Sequence, residues 1–72
     1  MGSIKCKEMI KVLSKFGYNV VRQTGSHKIL KHYQTNQSFV VSANDNESIG
    51  RPLISKILRW AGIEKDQFIS NL

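Results

Sequence analysis

The sequence predicts an α+β fold in the order α-β-β-β-α, a three-stranded antiparallel sheet with two helices packed on one face. Three observations predict it. A helical period of apolar residues runs from Ile4 to Phe16 and returns after Pro52. Between these stretches lie three runs rich in β-branched and aromatic residues. The connections between those runs are two and three residues long, which suits hairpins, whereas a parallel crossover needs about a dozen residues or more.

In the first helix Cys6, Ile10, Leu13 and Gly17 follow the spacing of one face, with Met9 and Phe16 beside them. Gly17 is placed to stop the helix, because glycine enters the left-handed conformation without a Cβ penalty. Cys6 reads as a small apolar residue near the helix start. Lys7, Lys11 and Lys15 recur every fourth residue and form one basic stripe, either a wetted surface or a rail for a phosphate backbone.

The strands are predicted over Tyr18 to Thr24, His27 to Gln34 and Ser38 to Ser42, joined by Gly25-Ser26 and by Thr35-Asn36-Gln37. Asn44 to Ser48 is polar and turn-like, and Pro52 suits a first helical turn, where its missing N–H is not needed. In the second helix Leu53, Ile57, Trp60 and Ala61 share a face, with Ile54 and Leu58 adjacent and Gly62 ending the run. That phase assigns Trp60 to the core first and to a docking patch second. The tail from Glu64 to Leu72 is expected to add one weak turn anchored by Phe68 and Ile69, or to fray.

At 72 residues the chain is expected to form a single domain over residues 1–72 with one small core, Met1-Gly2-Ser3 being a leading segment outside it. No apolar run approaches the roughly 20 residues of a membrane span, and no secretory signal is visible, so a cytoplasmic location is expected. A single cysteine, Cys6, excludes an intrachain disulfide, and with two histidines it gives no zinc spacing. No metal or other cofactor is expected. The 11 basic and 5 acidic side chains give a formal charge of +6, a field that favours phosphate-rich partners. The charges are segregated: no Asp or Glu occurs from Met9 to Asn44, where Lys11, Lys15, Arg22, Lys28 and Lys31 all lie.

The run Gly17-Tyr18-Asn19-Val20-Val21-Arg22-Gln23-Thr24-Gly25-Ser26-His27-Lys28-Ile29-Leu30-Lys31-His32 resembles the central signature of the HicA (YcfA-like) family. The shared pattern is a glycine and an aromatic, a strand ending Arg-x-x-Gly-Ser-His, then a basic and apolar strand. Ile57-Leu58-Arg59-Trp60-Ala61-Gly62-Ile63 is similar to the family's closing segment, and with helix one the likeness extends through Ile63. The resemblance implies a fold like that of double-stranded-RNA-binding domains, which have the same element order. It also implies metal-independent cleavage of messenger RNA, a HicB-like antitoxin that covers the site, and a catalytic role for the histidine after Gly-Ser, here His27. The chain departs from the pattern at Val41-Ser42-Ala43-Asn44, where many relatives read Val-Pro-x-His. Pro52 likewise stands where the glycine opening helix two would fall, with Gly50 two residues earlier.

The residues make chemical sense without the family. An imidazole titrates near neutral pH and can take the proton of a ribose 2′-hydroxyl. Gly25 lets the backbone approach a phosphate, Ser26 and nearby N–H groups can donate to it, and Lys28 can offset charge developing in the transition state. Arg22 is a candidate phosphate contact or an ordinary surface ion pair. Lys11, Lys15 and Lys31 complete the expected RNA-binding set. Strand alternation puts His32 on the opposite face from His27, leaving Lys31 and Tyr33 as same-face neighbours. Two further readings stand beside the endoribonuclease: a non-catalytic RNA-binding module, and a protein-interaction module whose basic face docks an acidic partner.

Overall fold

In the computed structural model, residues 3–72 are described; Met1 and Gly2, part of the expected leading segment, lie outside the described residues. The elements run β1 (Ile4–Lys5), α1 (Cys6–Lys15), β2 (Tyr18–Thr24), β3 (His27–His32), β4 (Ser38–Ser42), β5 (Ser48–Ile49), α2 (Arg51–Ala61) and α3 (Lys65–Ser70). The predicted α-β-β-β-α order is present as α1, β2, β3, β4 and α2. The three long strands form an antiparallel sheet in the order β2-β3-β4. One face of it is covered by the helices through a continuous core that includes Met9, Leu13, Leu30, Val41, Ile54, Ile57 and Phe68.

Three features go beyond the predicted order. Residues read as helix and turn instead pair antiparallel, Ile4 with Ile49 and Lys5 with Ser48. This small sheet brings the chain before α1 against the loop after β4. No side chain caps α1; the N–H groups of Cys6 and Lys7 donate to the carbonyls of Glu47 and Asp45 at 2.8 and 3.0 Å. Two donors that a helix start leaves without partners are thereby satisfied.

The tail forms a true helix. Glu64 and Gln67 make a reciprocal capping box at the start of α3, and Phe68 is fully buried in the core while Ile69 is 46% exposed. The predicted anchor therefore rests on Phe68 alone. Helix α2 buries Ile54, Ile57 and Leu58, and Trp60 is 40% exposed. This corrects its expected core role: the buried stripe runs through Ile54, Ile57 and Leu58, and Trp60 stands at its rim, where its ring meets Phe39 at 6.0 Å.

Where α1 joins β2, Gly17 is required by both its backbone and its surroundings. It has φ +93°, and a Cβ there would stand 2.6 Å from His32 Nε2 and 2.9 Å from Tyr33 Cε1. The predicted stop signal thus also permits a close approach between the helix end and β3. At the far end of α2, the carbonyls of Trp60 and Ala61 accept hydrogen bonds from Gln37 Nε2 at 2.7 Å and Tyr18 Oη at 3.1 Å. A strand side chain and a loop side chain thereby satisfy acceptors that a helix end leaves open.

Phe68→Ala is expected to cost about 3–5 kcal/mol, the range for emptying a buried aromatic site. Ile69→Ala should cost about 1 kcal/mol or less, as befits a half-exposed side chain. Urea unfolding midpoints of the two variants check this, and equal losses would contradict Phe68 as the anchor of α3.

Candidate nucleic-acid interface

The β2–β3 connection sets the geometry of the candidate site. Thr24 pairs with His27 across Gly25 and Ser26, and Gly25 has φ +59°, the pattern of a type II′ hairpin turn with glycine first. A Cβ at Gly25 would meet nothing within 4 Å. Glycine is favoured there by its backbone conformation, and the space above the turn is open to a ligand.

From this turn β3 alternates strictly. Lys28 and Leu30 are buried under the helices, while His27 and Lys31 are exposed and Ile29 is half-buried on the uncovered face. Register extends that face to the neighbouring strands. Thr24 and Ser42 flank His27, Arg22 and Val40 flank Ile29, and Asn19 and Ser38 flank Lys31.

Arg22 reaches this face only because β2 is irregular. The register steps from Val20 opposite Leu30 directly to Arg22 opposite Ile29, leaving Val21 unpaired as a bulge. In an unbroken ladder Val21 would oppose Ile29 and Arg22 would oppose Lys28, on the helix-covered face. Bulges re-aim side chains in this way; here the bulge sets a guanidinium one register step from His27.

Of the residues expected to bind RNA, the fold gathers Arg22, Gly25 and Ser26 beside His27 at the turn end of the sheet, and it sets Lys31 on the same face at the other end of β3. It separates the others. Lys11 and Lys15 lie on the outer surface of α1, away from the uncovered face, and Lys15 Nζ donates to Asn71 O at 2.9 Å. Lys28 requires a correction: it is 2% exposed and lies on the opposite side of the sheet from His27. Its ammonium donates to Ala43 O and pairs with Asp45 Oδ1 at 3.3 Å. A side chain so engaged does not touch a phosphate over the uncovered face. It steadies the turn from below, because Ala43 N–H donates to Ser26 O at 3.0 Å.

Cys6 Sγ points at the same Ala43 carbonyl, at 3.7 Å. Burial pushes its thiol above the ordinary value, with the nearby Lys28 charge opposing; the thiol stays protonated, the form able to donate. His32 packs on the covered side, its ring edge-on to Tyr18 at 4.9 Å and stacked with Tyr33 at 5.1 Å. Its Nδ1 accepts from the N–H groups of Gln34 and Thr35 at 3.1 and 3.3 Å. Tyr33 follows the end of β3 and lies with His32, not beside His27 as alternation had suggested. Sequence reasoning passed over Thr24 and Ser42, the polar residues flanking His27. The two-residue turn signals Thr24, whereas Ser42 depends on a longer loop length than the one predicted.

A family model described as HicA toxin of bacterial toxin-antitoxin matches residues 6–63. Comparison with curated proteins and with solved structures gives no match.

Two kinds of basic-residue substitution should separate. Lys28→Ala is expected to lower stability by about 2–3 kcal/mol, through lost packing and an undersatisfied Ala43 carbonyl. Arg22→Ala and Lys31→Ala should leave stability within about 0.5 kcal/mol. Each should also lower the salt dependence of single-stranded RNA binding by about 0.7 in logarithmic slope. Urea unfolding and RNA titrations at several salt concentrations measure both, and an unchanged slope for Arg22→Ala would remove it from the interface.

Proposed function

The chain belongs to the HicA toxin family, the toxins of bacterial toxin–antitoxin pairs, and we propose that it is an endoribonuclease that cleaves messenger RNA through His27 and so inhibits translation. The observation that carries this reading is the exposed imidazole at the II′ turn, with Arg22 and Lys31 on the same uncovered face.

In the proposed reaction a phosphate seats over the turn, between the guanidinium of Arg22 and the N–H groups and hydroxyl around Gly25 and Ser26. The His27 imidazole takes the proton of the adjacent 2′-hydroxyl. The 2′-oxygen attacks the neighbouring phosphorus, and the bond from phosphorus to the 5′-oxygen breaks. A 2′,3′-cyclic phosphate remains on one fragment, and the departing 5′-oxygen takes a proton from water to become a hydroxyl on the other. The nucleophile belongs to the substrate, so no metal is needed to generate it. DNA lacks that hydroxyl and is spared. Unpaired or loosely structured RNA is the favoured substrate, because its backbone and bases can lie across an open sheet. The natural partner in this reading is a HicB-like antitoxin that covers the face.

One feature favours a non-catalytic RNA-binding module of the same fold. Ser42, beside His27 in the register, and Asn44 stand where many relatives carry a proline and a histidine. The same experiment decides between the two readings. The purified chain and its His27→Ala variant, both shown to be folded, are incubated in EDTA with RNA and with an all-deoxy control of the same sequence. Cleavage of RNA alone by the native chain, reduced about 100-fold or more in the variant, is the expected outcome. If neither protein cuts while both bind RNA equally, the binding module replaces the enzyme.

A further inference from the structure

The sheet has two free edges, and they are built differently. The β2 edge carries the Val21 bulge and the charge of Arg22, both of which discourage another strand from pairing. The β4 edge reads Ser38-Phe39-Val40-Val41-Ser42, without charge, proline or bulge, and its register with β3 is unbroken. The ladder is bounded by bonds from Ala43 N–H to Ser26 O and from His32 N–H to Gln37 O. Alternation between those bonds turns Phe39 and Val41 towards β3 and leaves the N–H and C=O groups of Ser38, Val40 and Ser42 pointing outward. None of these has a partner outside the sheet among the described residues.

Beside this edge lies an apolar anchor point. Trp60, 40% exposed, stands against Phe39 and closes a cleft of about 350 Å³ with Gln37, Ser38, Phe39 and Val40. A row of outward backbone groups next to a side-chain cleft is the arrangement by which sheets take up an extended peptide, main-chain bonds giving affinity and the cleft giving selectivity.

We propose that the β4 edge docks an extended, acidic segment of a partner protein, which adds as a fourth strand and seats an apolar side chain against Trp60. Charge decides the occupant. Lys31 lies in register with Ser38, Lys56 precedes Trp60 by one helical turn, and no acidic residue occurs from Met9 to Asn44. A second copy of the chain would bring another +6 to a surface that already lacks counter-charge, so a carboxylate-bearing strand fits and a homodimer does not. The docking rests on the edge and on Trp60, independently of whether His27 cleaves RNA.

The test uses the intact chain and a capped peptide of about eight residues that alternates Glu with Val or Thr around a central Phe. Amide hydrogen exchange by NMR is expected to slow about tenfold or more at Ser38, Val40 and Ser42 when peptide saturates the chain. Affinity should fall about tenfold or more when the peptide's edge-facing nitrogens are methylated, when its Glu residues become Lys, and in Trp60→Ala. The methylated peptide leaves the protein unaltered, so its result does not depend on the variant folding. Absent binding, equal affinity of the methylated or the Lys peptide, or protection centred on β2 would overturn the proposal. Protection of the β4 amides that rises with protein concentration before peptide is added would overturn the acidic occupant in favour of a second copy.

Discussion

A buried ammonium organises this fold. Lys28 follows His27 directly, and in a strand the residue after an outward one must point inward; the chain therefore drives a cation beneath its own candidate site. A charge removed from water is tolerated only if it is paired and hydrogen-bonded. The compensation comes from Ala43 O and Asp45, which draws the end of β4 and the following loop under the β2–β3 turn. That loop also presents the Asp45 and Glu47 carbonyls to the start of α1. One ion thus links the central strand, the turn bearing His27 and the entry to the first helix. A one-residue slip of β3 would expose Leu30 and bring His27 and Lys31 under the helices, so the register of the site and the integrity of the core are the same constraint.

The second constraint is the bulge at Val21. It costs β2 one ladder position, yet it reverses the side on which Arg22 emerges. Together the buried lysine and the bulge sort the basic residues of the middle of the chain. Lys28 is committed to the interior, Lys15 to Asn71, and Lys11 to the outer surface of α1. Arg22 and Lys31 remain with His27.

The parts legible in the sequence were those written in local periodicity and in single punctuating residues. Helices α1 and α2, the three long strands, the stops at Gly17 and Gly62, and the Gly25-Ser26 turn were all readable, because each rests on a repeat of two or 3.6 residues or on a turn preference. What escaped depends on contacts distant in sequence. The strands Ile4–Lys5 and Ser48–Ile49 are too short to show any period. The Val21 bulge contains no glycine to mark it. The loop after β3 is longer than the predicted three residues, since Tyr33 and Gln34 leave the strand and His32 Nδ1 binds the turn. That difference pairs Ser38 with Lys31 where a three-residue loop would have paired it with Gln34, and it is why Ser42 was not foreseen beside His27. Lys28 was misassigned because a lysine reads as surface until its partner is known, and Asp45 gave no sign of being that partner. Glu64 and Gln67 were the one missed local signal, three residues apart as a capping box requires.

The uncovered face also bears on how RNA would be held. Its centre is apolar, with Ile29 and Val40 in register between polar and charged positions, and it carries no aromatic ring, Tyr33 being stacked on His32. Single-strand binders that rely on base stacking present aromatic side chains on such a surface; this one offers aliphatic contacts and two cations. Affinity would therefore come mainly from phosphates, and with two cations its dependence on salt would be shallow, about 1.4 in logarithmic slope. The formal +6 overstates the field at His27, because Lys11 and Lys15 are on another surface. A weakly charged, flat face around a single imidazole suits brief contact with many RNA sequences better than tight retention of one.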